Sequence, residues 1–367
     1  PSAGARSSSK FDVVWSGLWP CCDGRTGFNL SQFPVLQLGR LALFDSTLGL
    51  YNETIAPVGL PQTVDLASHA AKVAADVAAT VPADKDMYCC IDWEQYTPVI
   101  FDHATATKPQ GGPGSGGCPG TFTAPNGDSR YSMPGASCAT ANAALNASVD
   151  LVRKSGGHAL NDSAVAAEAV AAFNAAAKMV WLKTLEVAKT TRPQCKWGYY
   201  GKPETEDITP PFVDAFDRAV GDAYQWMFDE QTALFPSTYM HYAQDGSPPP
   251  LNASYNTHYV EAITREALRV NGNRPTGLPS APVLPWVWYR YISDHTTLLL
   301  PADMHTALAG PGTVGAHGVL VYEDGIAQVG EPLHLKTQAY IDTVLGPTAT
   351  SLYGQSPRGD GHRSGAE

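Results

Sequence analysis

The chain is short of charge. Only 16% of its 367 residues are Asp, Glu, Lys or Arg, and 24 basic side chains face 35 acidic ones, a formal net charge of −11. That balance argues against nonspecific binding to nucleic acid or to an anionic membrane, where attraction to phosphate dominates. It also weighs against a polyanionic substrate. No apolar run approaches the ~18 residues of a membrane span, so none is expected. There is no GxGxxG, no Walker-type phosphate loop and no HExxH, which removes the dinucleotide, P-loop and zincin readings. The seven cysteines (Cys21, Cys22, Cys89, Cys90, Cys118, Cys138 and Cys195) lack the spacing of a zinc site. Neither a metal nor a cofactor is therefore expected.

What is present is a large apolar fraction, 44%, enough for one large core or two ordinary ones. The chain starts at Pro1 with no apolar segment behind it, so any signal peptide is expected to be already removed or never to have existed. Five Asn-x-Ser/Thr sequons, at Asn29, Asn52, Asn146, Asn161 and Asn252, lean toward a secreted glycoprotein. Cys118 and Cys138 flank a Gly/Pro/Ser-rich stretch and form the best candidate disulfide. An odd cysteine total leaves at least one thiol unpaired within the chain, and Cys89 and Cys90 read equally well as small apolar strand residues.

Strand and helix patterns alternate along the chain. "FDVVWSG" (11–17) reads as a buried strand and "VLQLGRLALF" (35–44) as a second apolar run. The segment 63–80 places Leu66, Ala70, Val73 and Val77 on one helical face, and Pro82 ends it. "DMYCCIDWE" follows as a strand. Residues 103–140, rich in Gly, Pro, Ser and Thr, read as a surface excursion or insertion. Asp162 or Ser163 caps a long Ala-rich helix over about 164–190, with Val165, Phe173, Val180 and Val187 among its apolar positions. "KWGYYG" (196–201) is a short strand. A helix over about 212–231 leads into "TALFPSTYMHY" (232–242), and a helix around 257–271 precedes "APVLPWVWYRYI" (281–292). "GAHGVLVYEDG" (315–325) is a further strand, and "LHLKTQAYIDTVLG" (333–346) is amphipathic. The expected domain runs over 1–353, with a polar tail over 354–367. Alternating strands and helices without a phosphate loop favour an α/β fold, a distorted, TIM-like (β/α) barrel, over a doubly wound sheet.

The chemistry concentrates in "CCIDWEQYTP". On a strand Asp92 and Glu94 share one face while Trp93 takes the other, with Cβ atoms roughly 6–7 Å apart. In this fold the carboxyl ends of strands line the active site. Two carboxylates there repel, and burial raises one pKa so that it can act as an acid near neutrality. That pairing suits glycoside hydrolysis. Both groups approach from one side, however, so they are poorly placed as opposed acid and nucleophile. The geometry favours a nucleophile carried by the substrate, an acetamido oxygen, with Asp92 orienting the acetamide and Glu94 delivering the proton. Taken alone, the tripeptide is more simply a strand end with both side chains solvated at the rim.

"CCIDWEQYTP" resembles the "VIDWEEWRP" segment of the hyaluronidases, endo-β-N-acetylhexosaminidases of animals and venoms. "FDVVWSG" looks like their "FEVVWN", "RPQCKWGYYGKP" like "RP…WGYYGFP", and "WMFDEQTALFPSTYM" like "WLWDxSTALYPSIYM". "LGLYNETIAPVGLPQ", "REALRV", "WYR", "GAHGVLVYEDG" and "AYIDTVLGP" match further landmarks in the same order, over roughly residues 10 to 350. The resemblance implies a distorted (β/α) barrel and retaining, acetamide-assisted hydrolysis without metal. It makes Glu94 the general acid and later base, Asp92 the holder of the acetamide nitrogen, and Tyr200 and Tyr239 hydrogen-bonding partners of the acetamido group. Tyr322 stands where the family has a tryptophan against the acetamide methyl. Tyr51, Trp93, Tyr199 and Ser237 lie in matching segments and are expected at the substrate. The chain departs from the family at Thr97, where the arginine of "WRP" is lost. It departs again at Leu43–Phe44 or Phe44–Asp45, where a tyrosine is missing, and at His334, where a disulfide cysteine is replaced.

The resemblance thus implies an endo-hydrolase cutting β-N-acetylhexosaminide bonds of hyaluronan or chondroitin, secreted or in an acidic compartment, with an acidic optimum. Lys202 or Arg290 could supply a local basic patch for such a polyanion, or act as an ordinary surface or structural cation. A second reading keeps the chemistry on a neutral β-N-acetylglucosaminide. A third is a glycan-binding glycoprotein without turnover. Arg358-Gly359-Asp360 in the tail is read as coincidence.

Overall fold

The computed structural model describes residues 11–16, 28–37, 40–44, 60–93, 98–102, 131–132, 138–156, 161–203, 205, 210–243, 254–323 and 330–354. Along the chain come β1 (Asp12–Trp15), β2 (Leu36–Gln37), β3 (Leu41–Phe44), α1 (Leu66–Thr80) and β4 (Tyr88–Ile91). A small antiparallel pair, β5 (Phe101–Asp102) and β6 (Tyr131–Ser132), precedes α2 (Cys138–Lys154) and the 30-residue α3 (Asp162–Thr191). Then follow β7 (Lys196–Tyr199), α4 (Ala215–Ala223), α5 (Gln225–Glu230), α6 (Tyr255–Gly272) and β8 (Trp286–Trp288). A hairpin of β9 (Arg290–Tyr291) and β10 (Asp294–Leu298) leads to α7 (Pro301–Val314), β11 (Gly318–Tyr322), α8 (Pro332–Tyr340) and α9 (Gly346–Tyr353).

The strands form two parallel sheets, ordered β3–β4–β7 and β2–β1–β11–β8. Their sequences are short continuous apolar runs because both faces are covered, the signature of a parallel sheet packed inside helices. The segment 233–238 joins the sheets edge to edge. It bridges Tyr200 through Phe235 on one side and Val283 and Trp286 through Leu234 and Ser237 on the other. Tyr88 of β4 reaches across the interior, its hydroxyl donating to Asp12 of β1 at 2.9 Å. The result is the expected distorted α/β barrel.

Strand alternation separates two cores. Leu41, Leu43, Tyr88 and Cys90 join Phe235, Trp286 and Leu320 in one cluster. Ala42, Phe44, Cys89 and Ile91 face the other, with Trp181 and Leu185 of α3 and Val73 and Val77 of α1. By length and composition α3 could cross a bilayer, yet half of its most apolar window is buried. It serves as a core helix, with Phe173, Trp181 and Leu185 fully enclosed.

Several elements differ from the sequence reading. Asn161, not Asp162 or Ser163, caps α3, its side chain accepting from the Ala164 N–H at 2.9 Å. All three are good capping types in a row, and the first is the one whose backbone stays extended. α1 buries His69, Val73 and Val77, a face shifted by one residue toward His69, while Leu66 and Ala70 are only half-buried. α2 was not anticipated, and β6 and the start of α2 occupy the end of the supposed 103–140 loop. The 212–231 helix is split at Tyr224 into α4 and α5. The apolar run 281–292 ends in the β9–β10 hairpin, and the last helix continues through a π-helical turn, Ile341–Leu345, into α9. Cys21, Cys22 and Cys118, the sequons at Asn52 and Asn252, and residues 355–367 lie outside the described residues.

Candidate active site

Because the strands run parallel, their carboxyl ends meet on one face, and a cavity of about 390 Å³, including space open to solvent, sits there. Leu43, Asp92, Tyr200, Tyr239, Trp286 and Tyr322 line it. Asp92, Tyr200 and Tyr322 stand at the carboxyl ends of β4, β7 and β11. The Asp92 N–H donates to the Phe44 carbonyl at 2.7 Å, extending β4 past Ile91, so its side chain follows Cys90 inward. The Tyr200 N–H likewise donates to the Ile91 carbonyl at 2.9 Å. Tyr322 ends β11, and Trp286, the first residue of β8, pairs with Leu320 of β11.

Tyrosine and tryptophan rings build the walls. Tyr239 and Tyr322 stack with centroids 5.7 Å apart, and Tyr200 lies 6.3 Å from Tyr239 and 5.9 Å, edge-on, from Trp286. Trp288 stands behind them, 5.9 Å from Tyr239 and 5.8 Å from Tyr322. The Tyr200 hydroxyl approaches Ser237 Oγ at 3.5 Å. Burial, reinforced by Tyr200, Tyr322 and Asp92, pushes the Tyr239 phenol well above its ordinary pKa. That phenol is therefore always a proton-bearing donor. Asp92 is the carboxylate among the described lining residues.

The structure thus brings together Asp92, Tyr200, Tyr239 and Tyr322, with Ser237 just behind them. Two other expected substrate residues point elsewhere. Trp93 is buried outside the barrel, its ring stacked on Trp181 at 4.8 Å with 2° between the planes. Tyr199 is fully enclosed, its hydroxyl donating to the Trp181 carbonyl at 2.8 Å. Alternation puts both on the outer face of their strands, next to residues that face in. Glu94, Thr97 and Tyr51 lie outside the described residues. Leu43 and Trp286 were not singled out as substrate contacts. Leu43 occupies a lining position and Phe44 turns outward onto Trp197 at 5.4 Å, while Asp45 lies outside the described residues.

Neither cation considered for a basic patch faces the cavity lining. Lys202 is buried with Nζ 5.9 Å from the centroid of the Tyr224 ring. Arg290 is fully buried, donates to Thr337 Oγ1 at 2.8 Å and lies over the Tyr289 ring at 5.2 Å. Both are internal packing elements.

An aromatic-walled cavity at the carboxyl ends of barrel strands lies where proteins of this α/β fold bind their ligands. The sequence model of the hyaluronidase family, glycoside hydrolase family 56, matches residues 139–355, and the chain belongs to that family. The match begins after Asp92 and Glu94 and includes Tyr200, Tyr239 and Tyr322. The "Inactive hyaluronidase B" of Vespula vulgaris is 31% identical over 207 residues, 55% of this chain and 57% of that protein. A hyaluronidase of Polistes annularis is 29% identical over 211 residues, 56% of this chain and 54% of that one. The chain thus spans little more than half the length of these relatives. Bee venom hyaluronidase shares the fold, with a TM-score of 0.71 at 20% identity over 93% of this chain and 99% of that structure. Its complex with a hyaluronic acid tetramer superposes at the same TM-score, 0.71, with 21% identity over 94% of this chain and 100% of that structure.

Proposed function

We propose that the chain is a retaining endo-glycosidase that cuts β-N-acetylhexosaminide bonds of a glycosaminoglycan, using the substrate's own acetamide as nucleophile. The observation that carries this reading is the convergence of Asp92, Tyr200 and Tyr239 on one aromatic-walled cavity. A carboxylate beside phenolic donors suits an acetamido group: Asp92 accepts from its N–H, and the phenols donate to its oxygen and orient it. The acetamido oxygen attacks the anomeric carbon while Glu94 gives its proton to the departing glycosidic oxygen. Water then opens the cyclic intermediate and returns a proton to Glu94, so configuration is retained. The hyaluronic acid tetramer held by the bee venom enzyme supports the choice of hyaluronan. We place the reaction outside the cell or in an acidic compartment. An acidic optimum follows from an acid that must carry its proton and from weakened repulsion of a polyanion by a chain of net charge −11.

The test is release of reducing ends from hyaluronan, chondroitin and chitin oligosaccharides by wild type and Glu94→Gln. Cleavage of hyaluronan or chondroitin by wild type, abolished in Glu94→Gln and maximal below neutrality, is the expected result. Turnover of chitin oligosaccharides alone would favour the neutral-substrate reading, motivated by a lining without a cation among the described residues. Binding without turnover would favour a lectin-like role, a possibility raised by the relative named inactive.

A further inference from the structure

The asparagines of the sequons at 29, 146 and 161 are all exposed, but the local chain treats them differently. Asn29 Oδ1 accepts from both the Ser31 N–H at 3.1 Å and the Ser31 hydroxyl at 2.7 Å. The third residue of this sequon is thus folded back onto the first, and Asn29 Nδ2 has no acceptor among the described residues. Two donors on the amide oxygen draw electron density from the nitrogen and make its N–H groups more acidic. These contacts span only two residues, so the turn can form in a chain that has not yet folded. In the folded protein the turn is docked through its main chain. The Asn29 N–H donates to Gln338 Oε1 of α8 at 2.7 Å, and Gln338 Nε2 donates to the Asn29 carbonyl at 3.2 Å. Gln32 Nε2 donates to Asp342 Oδ1 at 2.9 Å. A substituted Asn29 side chain leaves all three bonds in place. Asn146 lies inside α2, where the buried Ser148 hydroxyl donates to the Ala144 carbonyl at 2.8 Å and accepts from Gln62 Nε2 at 2.9 Å. That hydroxyl is committed away from its asparagine. Asn161 spends its Oδ1 on capping α3, at 2.9 Å from the Ala164 N–H, and not on the Ser163 hydroxyl.

We propose that Asn29 is an N-glycosylation site, and that the turn joining it to Ser31 makes it the most fully occupied of these three sequons. The proposal goes beyond the reaction assigned above and relies only on the route out of the cell placed there. The donor is an oligosaccharide carried on a lipid diphosphate. Asn29 Nδ2 attacks the anomeric carbon of that oligosaccharide and displaces the diphosphate. A C–N bond forms, the C–O bond to the leaving group breaks, and the amide nitrogen gives up one proton. Ser31 acts through Oδ1, making an otherwise poor amide nucleophile more reactive. The product is a bulky, hydrated group at the surface, rooted on a turn that α8 holds by its main chain.

The experiment secretes the full chain, led by a signal peptide, from a eukaryotic host. Its peptides are mapped by mass spectrometry before and after enzymatic release of N-linked glycans, which converts each occupied asparagine to aspartate. Conversion at Asn29 in most molecules, with less at Asn146 and Asn161, is the expected result. Asn29→Gln should lose one glycan, read as a single step in electrophoretic mobility. Its thermal midpoint should stay within a few degrees, because the bonds to Gln338 are made by the main chain. Ser31→Ala should lose the same glycan with Asn29 still in place, and Ser31→Thr should keep it. An unconverted Asn29 in wild type would overturn the proposal, whatever the state of the other sequons, and so would a glycan retained at Asn29 in Ser31→Ala. Occupancy at Asn146 or Asn161 equal to that at Asn29 would overturn the part given to the turn. The mapping needs no substrate turnover, so its failure leaves the glycosidase reading intact, and an inactive protein leaves this site intact.

Discussion

Tyr239 and Tyr322 stack with 25° between their ring planes and centroids 5.7 Å apart. The stack fixes the Tyr239 ring, and Tyr200 and Trp288 flank it. Burial first, then the neighbouring Tyr200, raises the Tyr239 pKa, so its hydroxyl donates throughout any usable pH range. Phenylalanine at 239 keeps the packing and removes only the donor. Tyr239→Phe is expected to lower kcat by roughly tenfold or more, as loss of a preorganised donor does, while the thermal midpoint stays within a few degrees. Steady-state kinetics and a melting curve check both halves. Wild-type turnover in the variant removes Tyr239 from the mechanism.

Asp92 and Glu94 are assigned different tasks and should fail differently. Replacing the proton donor by Glu94→Gln should cost roughly 10²–10⁴ in kcat, the usual worth of a general acid. Asp92→Asn keeps size and an acceptor oxygen, so an orienting role predicts a smaller loss on the same substrate. An Asp92→Asn enzyme worse than Glu94→Gln would reverse the assignment. The comparison is best made at the optimum of each variant, since removing a carboxylate shifts the profile.

Much of this site was legible in the sequence, for definable reasons. Asp92, Tyr200 and Tyr322 each stand at the end of an apolar strand run, where a barrel exposes side chains, and Tyr239 was reached only through the resemblance of its segment. Trp93 and Tyr199 were misplaced as substrate residues because membership of a matching segment was weighed above alternation. The one-in, one-out rule that turns Asp92 and Tyr200 inward necessarily turns their neighbours onto Trp181. The cap at Asn161 was hidden among three consecutive capping residues, which local propensity cannot rank. The hairpin of β9 and β10 was masked by "WVWYRYI", whose apolar run continues across the end of β8. Burial of Lys202 and Arg290 could not be read from residue type, since long cations are mostly exposed and these two are packed against aromatic rings.

Gly198 shows how tightly the joint between the two sheets is built. A Cβ there would lie 2.2 Å from the Ala233 carbonyl oxygen and 2.8 Å from Gln231 Oε1. Both neighbours are committed: Ala233 donates to the Trp197 carbonyl at 3.0 Å, and Gln231 Oε1 accepts from the Tyr199 N–H at 2.9 Å. Gly198→Ala must therefore push β7 away from the 233–238 segment and displace Tyr200 with it. Overpacking of this kind costs about 1–3 kcal/mol, so the denaturant midpoint should fall clearly and kcat with it. Retention of wild-type stability would mean that this joint yields more than its hydrogen bonds imply.

Burial of His69 predicts a fold that weakens in acid. It is fully buried on α1, with Nε2 2.8 Å from Thr184 Oγ1 of α3, and burial pushes its pKa down from 6.5 to about 4. The unfolded chain takes up the proton near pH 6.5 and the folded one only near pH 4. Its neutral burial therefore favours the fold fully above the higher value, and that advantage is lost as pH falls from 6.5 toward 4. The loss amounts to up to roughly 3 kcal/mol by linkage. Urea unfolding at pH 7, 5.5 and 4.5 should show a falling midpoint in wild type. In His69→Gln, which keeps a polar group facing Thr184 but cannot titrate, the fall should be shallower. Parallel curves for the two proteins would show that other groups, such as His241 and His317, whose pKa values burial also lowers, carry the acid sensitivity instead.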